Sequence, residues 1–172
     1  YIASTGIEGR NDSLPSLVSM DAYSIKGISQ EQISYLHALS HLSPTNIYGV
    51  TFERGVAVQY GDRRHIYISG TASIDNQGNV VHIGDVEKQT FRMLENIEIL
   101  LKEGYACMDD IAQGIVYLRD TADYRIVKTI LDQRFPELPL VITLAPVCRP
   151  TWLVEMECIA IAPIEDKRFK NF

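Results

Sequence analysis

The sequence predicts an α+β fold, one sheet with two helices on one face, and three observations carry it. Short β-branched and aromatic runs alternate with two segments of helical spacing. Each helical segment leads into a further strand, as in split βαβ units. The composition, 46% hydrophobic and 22% charged over 172 residues with 11 Gly and 7 Pro, is that of an ordinary globular domain.

The elements follow in chain order. Residues 17–25 alternate loosely, as a strand would. Ser29-Gln30-Glu31-Gln32 has the form of a capping box before Ile33 and Leu36, and predicts a short helix over 30–39. Pro and small polar residues at Leu42-Ser43-Pro44-Thr45-Asn46 mark a joint, so 1–45 reads as an extension, 46–163 as the compact body and 164–172 as a tail. Residues 48–60 and 66–73 flank the turn signal Gly61-Asp62 and predict a hairpin, and Asn76-Gln77-Gly78-Asn79 is a second turn. After Asp85, a plausible N-cap, Val86, Thr90, Leu94, Ile97 and Leu101 recur every three or four residues until Gly104 stops the helix. Residues 111–118 read as a strand. Asp120 and Thr121 cap a second helix carrying Tyr124, Val127, Ile130 and Leu131, which Pro136 and Pro139 close, and strands follow at 141–147 and 152–162. The body is therefore β-β-(β)-α-β-α-β-β. Its strands carry apolar residues on both faces while two helices cover only one, which predicts oligomerisation.

Charge and cysteine content narrow the function classes. Sixteen Lys+Arg against 22 Asp+Glu give a net charge of −6, so the electrostatic attraction that dominates nucleic-acid affinity is absent overall. Three cysteines with no CxxC pair argue against a disulfide framework and a zinc ribbon. No apolar run approaches a membrane span and no signal segment is visible, so a cytoplasmic location is expected, and Tyr1 in place of Met points to a piece of a longer product.

Strand alternation puts Glu155 and Glu157 on one face with Leu153, Ile159 and Ile161, their Cα atoms about 7 Å apart. Burial and mutual repulsion raise a carboxyl pKa toward neutrality, as a general acid requires; the alternative is a subunit boundary where each Glu meets a partner. Cys148-Arg149-Pro150 precedes that strand, offering a pocket thiol and a guanidinium that forks a carboxylate or an intersubunit ion pair. Thr5-Gly6-Ile7-Glu8-Gly9-Arg10 is a glycine-punctuated loop of both charge signs that matches no phosphate-binding pattern. His37 and His41 have metal-ligand spacing without a third ligand, so no metal is expected, and no serine-hydrolase arrangement is visible.

Ile66-Tyr67-Ile68-Ser69-Gly70-Thr71-Ala72, Gly84-Asp85-Val86-Glu87-Lys88-Gln89-Thr90, Leu94-Glu95-Asn96-Ile97, Val116-Tyr117-Leu118-Arg119-Asp120 and Leu153-Val154-Glu155-Met156-Glu157 together resemble the YjgF/RidA/L-PSP superfamily. The resemblance implies a chorismate-mutase-like domain assembled as a homotrimer, with pockets between subunits. The family's deaminases hydrolyse enamines and imines and hold the substrate carboxylate with an arginine shortly after Pro-Ala; Pro139-Leu140-Val141 stands at that place here. Over about 5–162 the chain also resembles chorismatases, through the Thr5-Gly6-Ile7 loop, the Val81-His82-x-Gly84-Asp85-Val86 run and Arg149 six residues before Glu155. The chorismatase helix arginine that contacts substrate has no clear counterpart in Val127-Lys128-Thr129-Ile130. That resemblance implies a small-carboxylate enzyme without metal or organic cofactor. Glu155 is then the general acid, Arg149, Arg10 and the Glu8 loop bind substrate, and Tyr67, Tyr117 and Cys148 shape the pocket. A relocated-arginine deaminase and a ligand-binding trimer are the alternatives, and an endoribonuclease is disfavoured by the acidic charge.

Overall fold

The computed structural model describes residues 2–9 and 16–172. Six strands, β1 (Ile33–Leu36), β2 (Gly55–Gln59), β3 (Arg63–Ala72), β4 (Ile111–Leu118), β5 (Leu140–Leu144) and β6 (Val154–Pro163), form one sheet in the order β1-β2-β3-β6-β4-β5. Among these six strands, only β4 and β5 pair in parallel. Helices α1 (Val86–Glu103) and α2 (Tyr124–Arg134) share the buried core on one face of that sheet, which is the expected α+β architecture.

Helix α1 forms where its cap and stripe demand. The Asp85 carboxylate accepts the Lys88 N–H at 3.0 Å, satisfying one of the donors that a helix start leaves open. Met93, Ile97, Leu100 and Leu101 are wholly buried on one face, and each such side chain contributes roughly 1.5–3 kcal/mol. Asn96 crosses to the end of β3, its amide donating to the Ala72 and Ile74 carbonyls at 3.0 and 3.1 Å. Strand β6 shows the alternation directly: Val154, Met156, Cys158 and Ala160 are buried under the helices, while Glu155, Glu157, Ile159 and Ile161 take the opposite face.

Three expected elements differ. Residues 17–25 form no strand: Leu17, Val18 and Met20 are exposed, and no neighbouring strand supplies the ladder that extended backbone needs. Residues 30–39 form no α-helix. The Ser29 N–H does bond the Gln32 side chain at 3.1 Å, but the turn closes only a 3₁₀ segment, Gln30–Gln32. Beyond it Ile33 and Tyr35 pair with Val58 and Val56, so tertiary pairing overrides the local signal and β1 extends the sheet. The hairpin strand is also shorter than 48–60, because Thr45–Tyr48 is a 3₁₀ turn ended by Gly49 at φ +78°. The tail returns to the β2–β3 turn, where the Gly61 N–H donates to Lys170 O at 2.8 Å and the Phe172 ring lies 4.9 Å from that of His65.

Candidate active site

Glu155 is the second residue of β6, on the sheet face away from the helices, directly across from Tyr117 of β4 and Ala72 of β3. It is 3% exposed, and its Oε2 has no hydrogen-bond partner among the described residues. Burial, and after it the nearby Glu157 charge, raise its pKa to about 7 against the opposing pull of the Arg54 guanidinium. A carboxyl held neutral near pH 7 is a proton donor.

Residues 2–9 cross the end of the sheet as a strap over this carboxyl. Ala3 bridges to Glu53 and Ile7 to Val147. Between them the Ser4 N–H donates to Ser69 Oγ at 3.0 Å, and Thr5 Oγ1 accepts the Gly70 N–H at 2.8 Å. Glu8 is exposed, with its N–H on Pro146 O at 2.9 Å. Arg10 lies outside the described residues.

Of the residues singled out from sequence, Tyr117 and Cys148 come together with Glu155. Tyr117 is 6% exposed; burial, then the Glu157 charge and a hydrogen bond to Glu157, hold its hydroxyl protonated. The Cys148 thiol, on an exposed residue, donates to Gly6 O at 3.5 Å, and its partial desolvation followed by the Glu155 charge raises its pKa, so it stands as a thiol and not as a thiolate nucleophile. Two others point elsewhere. Arg149 donates to Gly78 O at 2.9 Å and its guanidinium lies 5.2 Å from the Trp152 ring centre. Tyr67 faces Ile159, four residues along β6 from Glu155 and so about 13 Å away, in a cluster with Tyr23 and His65.

Three side chains with no distinguishing sequence signal organise the site. Arg54 is buried, its guanidinium donating to Ser43 O at 3.0 Å and lying 5.3 Å from the Phe52 ring. Arg119 donates to the carbonyls of Val147, Arg149 and Trp152 at 2.5–2.8 Å, and Gln89 of α1 accepts the Leu153 N–H at 2.9 Å. Together Arg119 and Gln89 hold the loop that carries Cys148. Both fall inside motif strings visible in the sequence, but their partners are brought up only by the fold. His37 and His41 find Glu53 and Glu95 separately, and no group of three or more His, Cys, Asp or Glu side chains fit to hold a metal occurs among the described residues. No described helix is long and apolar enough to cross a membrane.

Residues 53–162, from just before β2 almost to the end of β6, match the family model of endoribonuclease L-PSP. The chain belongs to this family. Among its L-PSP relatives, the 3-aminoacrylate deaminase RutC of Acinetobacter baylyi is 35% identical over 72 residues, which are 42% of this chain and 57% of that protein's length. The chain thus spans a little over half of that relative. A solved chorismatase superposes with a TM-score of 0.67 at 22% identity, over 74% of this chain and 43% of that one. RidA from the Antarctic bacterium Psychrobacter superposes with a TM-score of 0.61 at 18% identity, over 74% and 98%. At these identities the two structures share the L-PSP fold with this chain. In this L-PSP chain the β5 position where the resemblance implies an arginine is occupied by Val141, 59% exposed and paired with Ile115.

Proposed function

We propose that this L-PSP-family chain is an enzyme acting on a small carboxylate-bearing metabolite, with Glu155 as the general acid and no organic cofactor. The observation that carries the reading is the buried Glu155 carboxyl, neutral up to about pH 7, whose Oε2 has no partner among the described residues. An acid so poised donates to an electron-rich double bond. An enol ether, the substrate group of chorismatases, and an enamine both have one, and both are cleaved by water once protonated. The chorismatase-like reading leads, since Arg149 six residues ahead of Glu155 and the Thr5-Gly6-Ile7 loop belong to that resemblance. Cys148 and Tyr117 then stand beside the acid as neutral donors, and Arg10 supplies the cation for the substrate carboxylate, with Arg149 able to join it only by leaving Gly78 O and the Trp152 ring.

The second reading, an enamine or imine deaminase, is favoured by the 35% identity to a 3-aminoacrylate deaminase. One pair of assays separates them: incubation with chorismate, followed by pyruvate release, and incubation with a freshly generated 2-aminoacrylate-type enamine, followed by ammonia release. Pyruvate formation that falls by about 10²–10⁴ in Glu155→Gln is the expected result. Turnover of either substrate that is equal in wild type and Glu155→Gln overturns the acid role.

The same reading includes a homotrimer. The face carrying Glu155 also presents Tyr35, Val56, Ile115, Ile159, Ile161 and Val141, six apolar side chains in adjacent strands and each at least partly exposed. A patch of this kind is unusual on a monomer. Light scattering should give three times the 19.4 kDa chain mass, and the single-chain mass would refute it.

A further inference from the structure

Gly70 lies in the β3 bulge between Ile68 and Thr71, and its backbone is not among those with positive φ. Conformation therefore does not require glycine there. Space does: a Cβ at this position would overlap Glu155 Oε1 and stand 2.8 Å from the Thr5 methyl. Neither is a backbone atom, unlike at Gly61, where a Cβ would meet the Phe169 carbonyl oxygen at 2.5 Å. The hollow left by the missing side chain is thus filled by the carboxyl itself.

The walls of the hollow are fixed. The Ser69 N–H donates to Arg54 O at 3.0 Å and its hydroxyl to Glu53 O at 2.5 Å, while the Thr71 hydroxyl bonds Ser69 O at 2.8 Å. The strap closes it, through Ser4 on Ser69 and Thr5 on Gly70.

We propose that Gly70 is a positioning residue: its missing side chain, roofed by Thr5, forms the seat that holds Oε1 of Glu155 against the β3 bulge and so fixes where the carboxyl presents its proton. The inference rests on the general-acid reading for its consequence and on packing for its geometry. Because the first atom a methyl meets is the end of a side chain, Gly70→Ala displaces the acid and leaves the sheet intact.

The test is a crystal structure of Gly70→Ala beside the wild type, with a ¹³C titration of the Glu155 carboxyl in both, assigned by Glu155→Gln. The carboxyl should move by about 1 Å or more, its titration midpoint should fall, and turnover should drop by about 10²-fold, the usual effect of such a misplacement. A carboxyl in its wild-type position with an unchanged midpoint overturns the seat. Should the alanine variant fold poorly, Gly70→Ala combined with Thr5→Ser removes the second contact, and the same measurements on it decide. Failure of the acid reading is separate: wild-type turnover in Glu155→Gln removes the acid, while the position of the carboxyl in Gly70→Ala still decides the seat.

Discussion

Tyr117 stands directly across from Glu155 in the β4–β6 register, and burial, followed by the charge of Glu157 two residues along β6, raises the pKa of both. The arrangement keeps a carboxylate beside the acid. Glu157 is the second cause, after burial, of the raised Glu155 pKa.

Glu157→Gln should therefore lower the Glu155 midpoint from about 7 without returning it to the ordinary carboxylate value of 4.5, because burial remains. Carboxyl ¹³C titration measures it. An unchanged midpoint would mean that the Glu157 charge is too well screened to act.

The raised pKa also sets a pH dependence of stability. Glu155 binds its proton more tightly folded than unfolded, so its contribution is fully present below about pH 4.5 and is lost as pH rises through about 7. The loss is on the order of 3 kcal/mol. Glu155→Gln carries no such charge, so relative to wild type it should gain stability between pH 5 and pH 8. Urea midpoints at the two pH values test this, and parallel wild-type and variant curves would count against it.

Legibility from sequence tracks the range of the interactions involved. Helix α1 is readable because Asp85, the apolar stripe and Gly104 are local to it. Glu155 is readable because strand alternation alone puts it on a face with Glu157. Segment 30–39 misleads, since a genuine cap at Ser29 and Gln32 closes one turn before β2 captures Ile33 and Tyr35. Gly70, Arg54, Gln89 and Arg119 could not be assigned in advance, because the partners that tie them to the site, Glu155, Ser43, Leu153 and the Arg149 carbonyl, lie 85, 11, 64 and 30 positions away in the chain.

The loop over 147–152 depends on those distant contacts. Replacing Arg119 with Met removes a donor from three carbonyls, of which that of Arg149 keeps the Trp152 N–H, and Gln89→Leu strands the Leu153 N–H. Unmet buried groups cost about 1–3 kcal/mol each, and the loop relaxes by admitting water. Arg119→Met should lower stability by about 2 kcal/mol or more and speed amide exchange at Trp152 and Leu153, while exchange in α1 follows global stability alone. Unchanged exchange at Trp152 and Leu153 would show that Arg119 does not hold the loop.

Cys148 is the residue whose chemistry the geometry restricts most sharply. A nucleophilic cysteine needs thiolate, and thiolate needs a cation, a helix N-terminus or a base to stabilise it. Cys148 is an exposed residue, but partial desolvation of its thiol raises the pKa, the Glu155 charge adds to the effect, and the weaker pull of Arg149 does not reverse it. Alkylation of Cys148 by iodoacetamide should therefore be slower at pH 7 than that of a free thiol and should accelerate as pH rises. Cys158 is the internal control: 3% exposed with a pKa pushed up to about 12, it should react only after unfolding in urea. In turnover, Cys148→Ser keeps a small hydroxyl donor near Gly6 and should retain activity within about tenfold of wild type, against the 10²–10⁴-fold loss expected for Glu155→Gln. Loss in Cys148→Ser as large as that in Glu155→Gln, together with a covalent adduct on Cys148 by mass spectrometry, would reverse the assignment and make the thiol the attacking group.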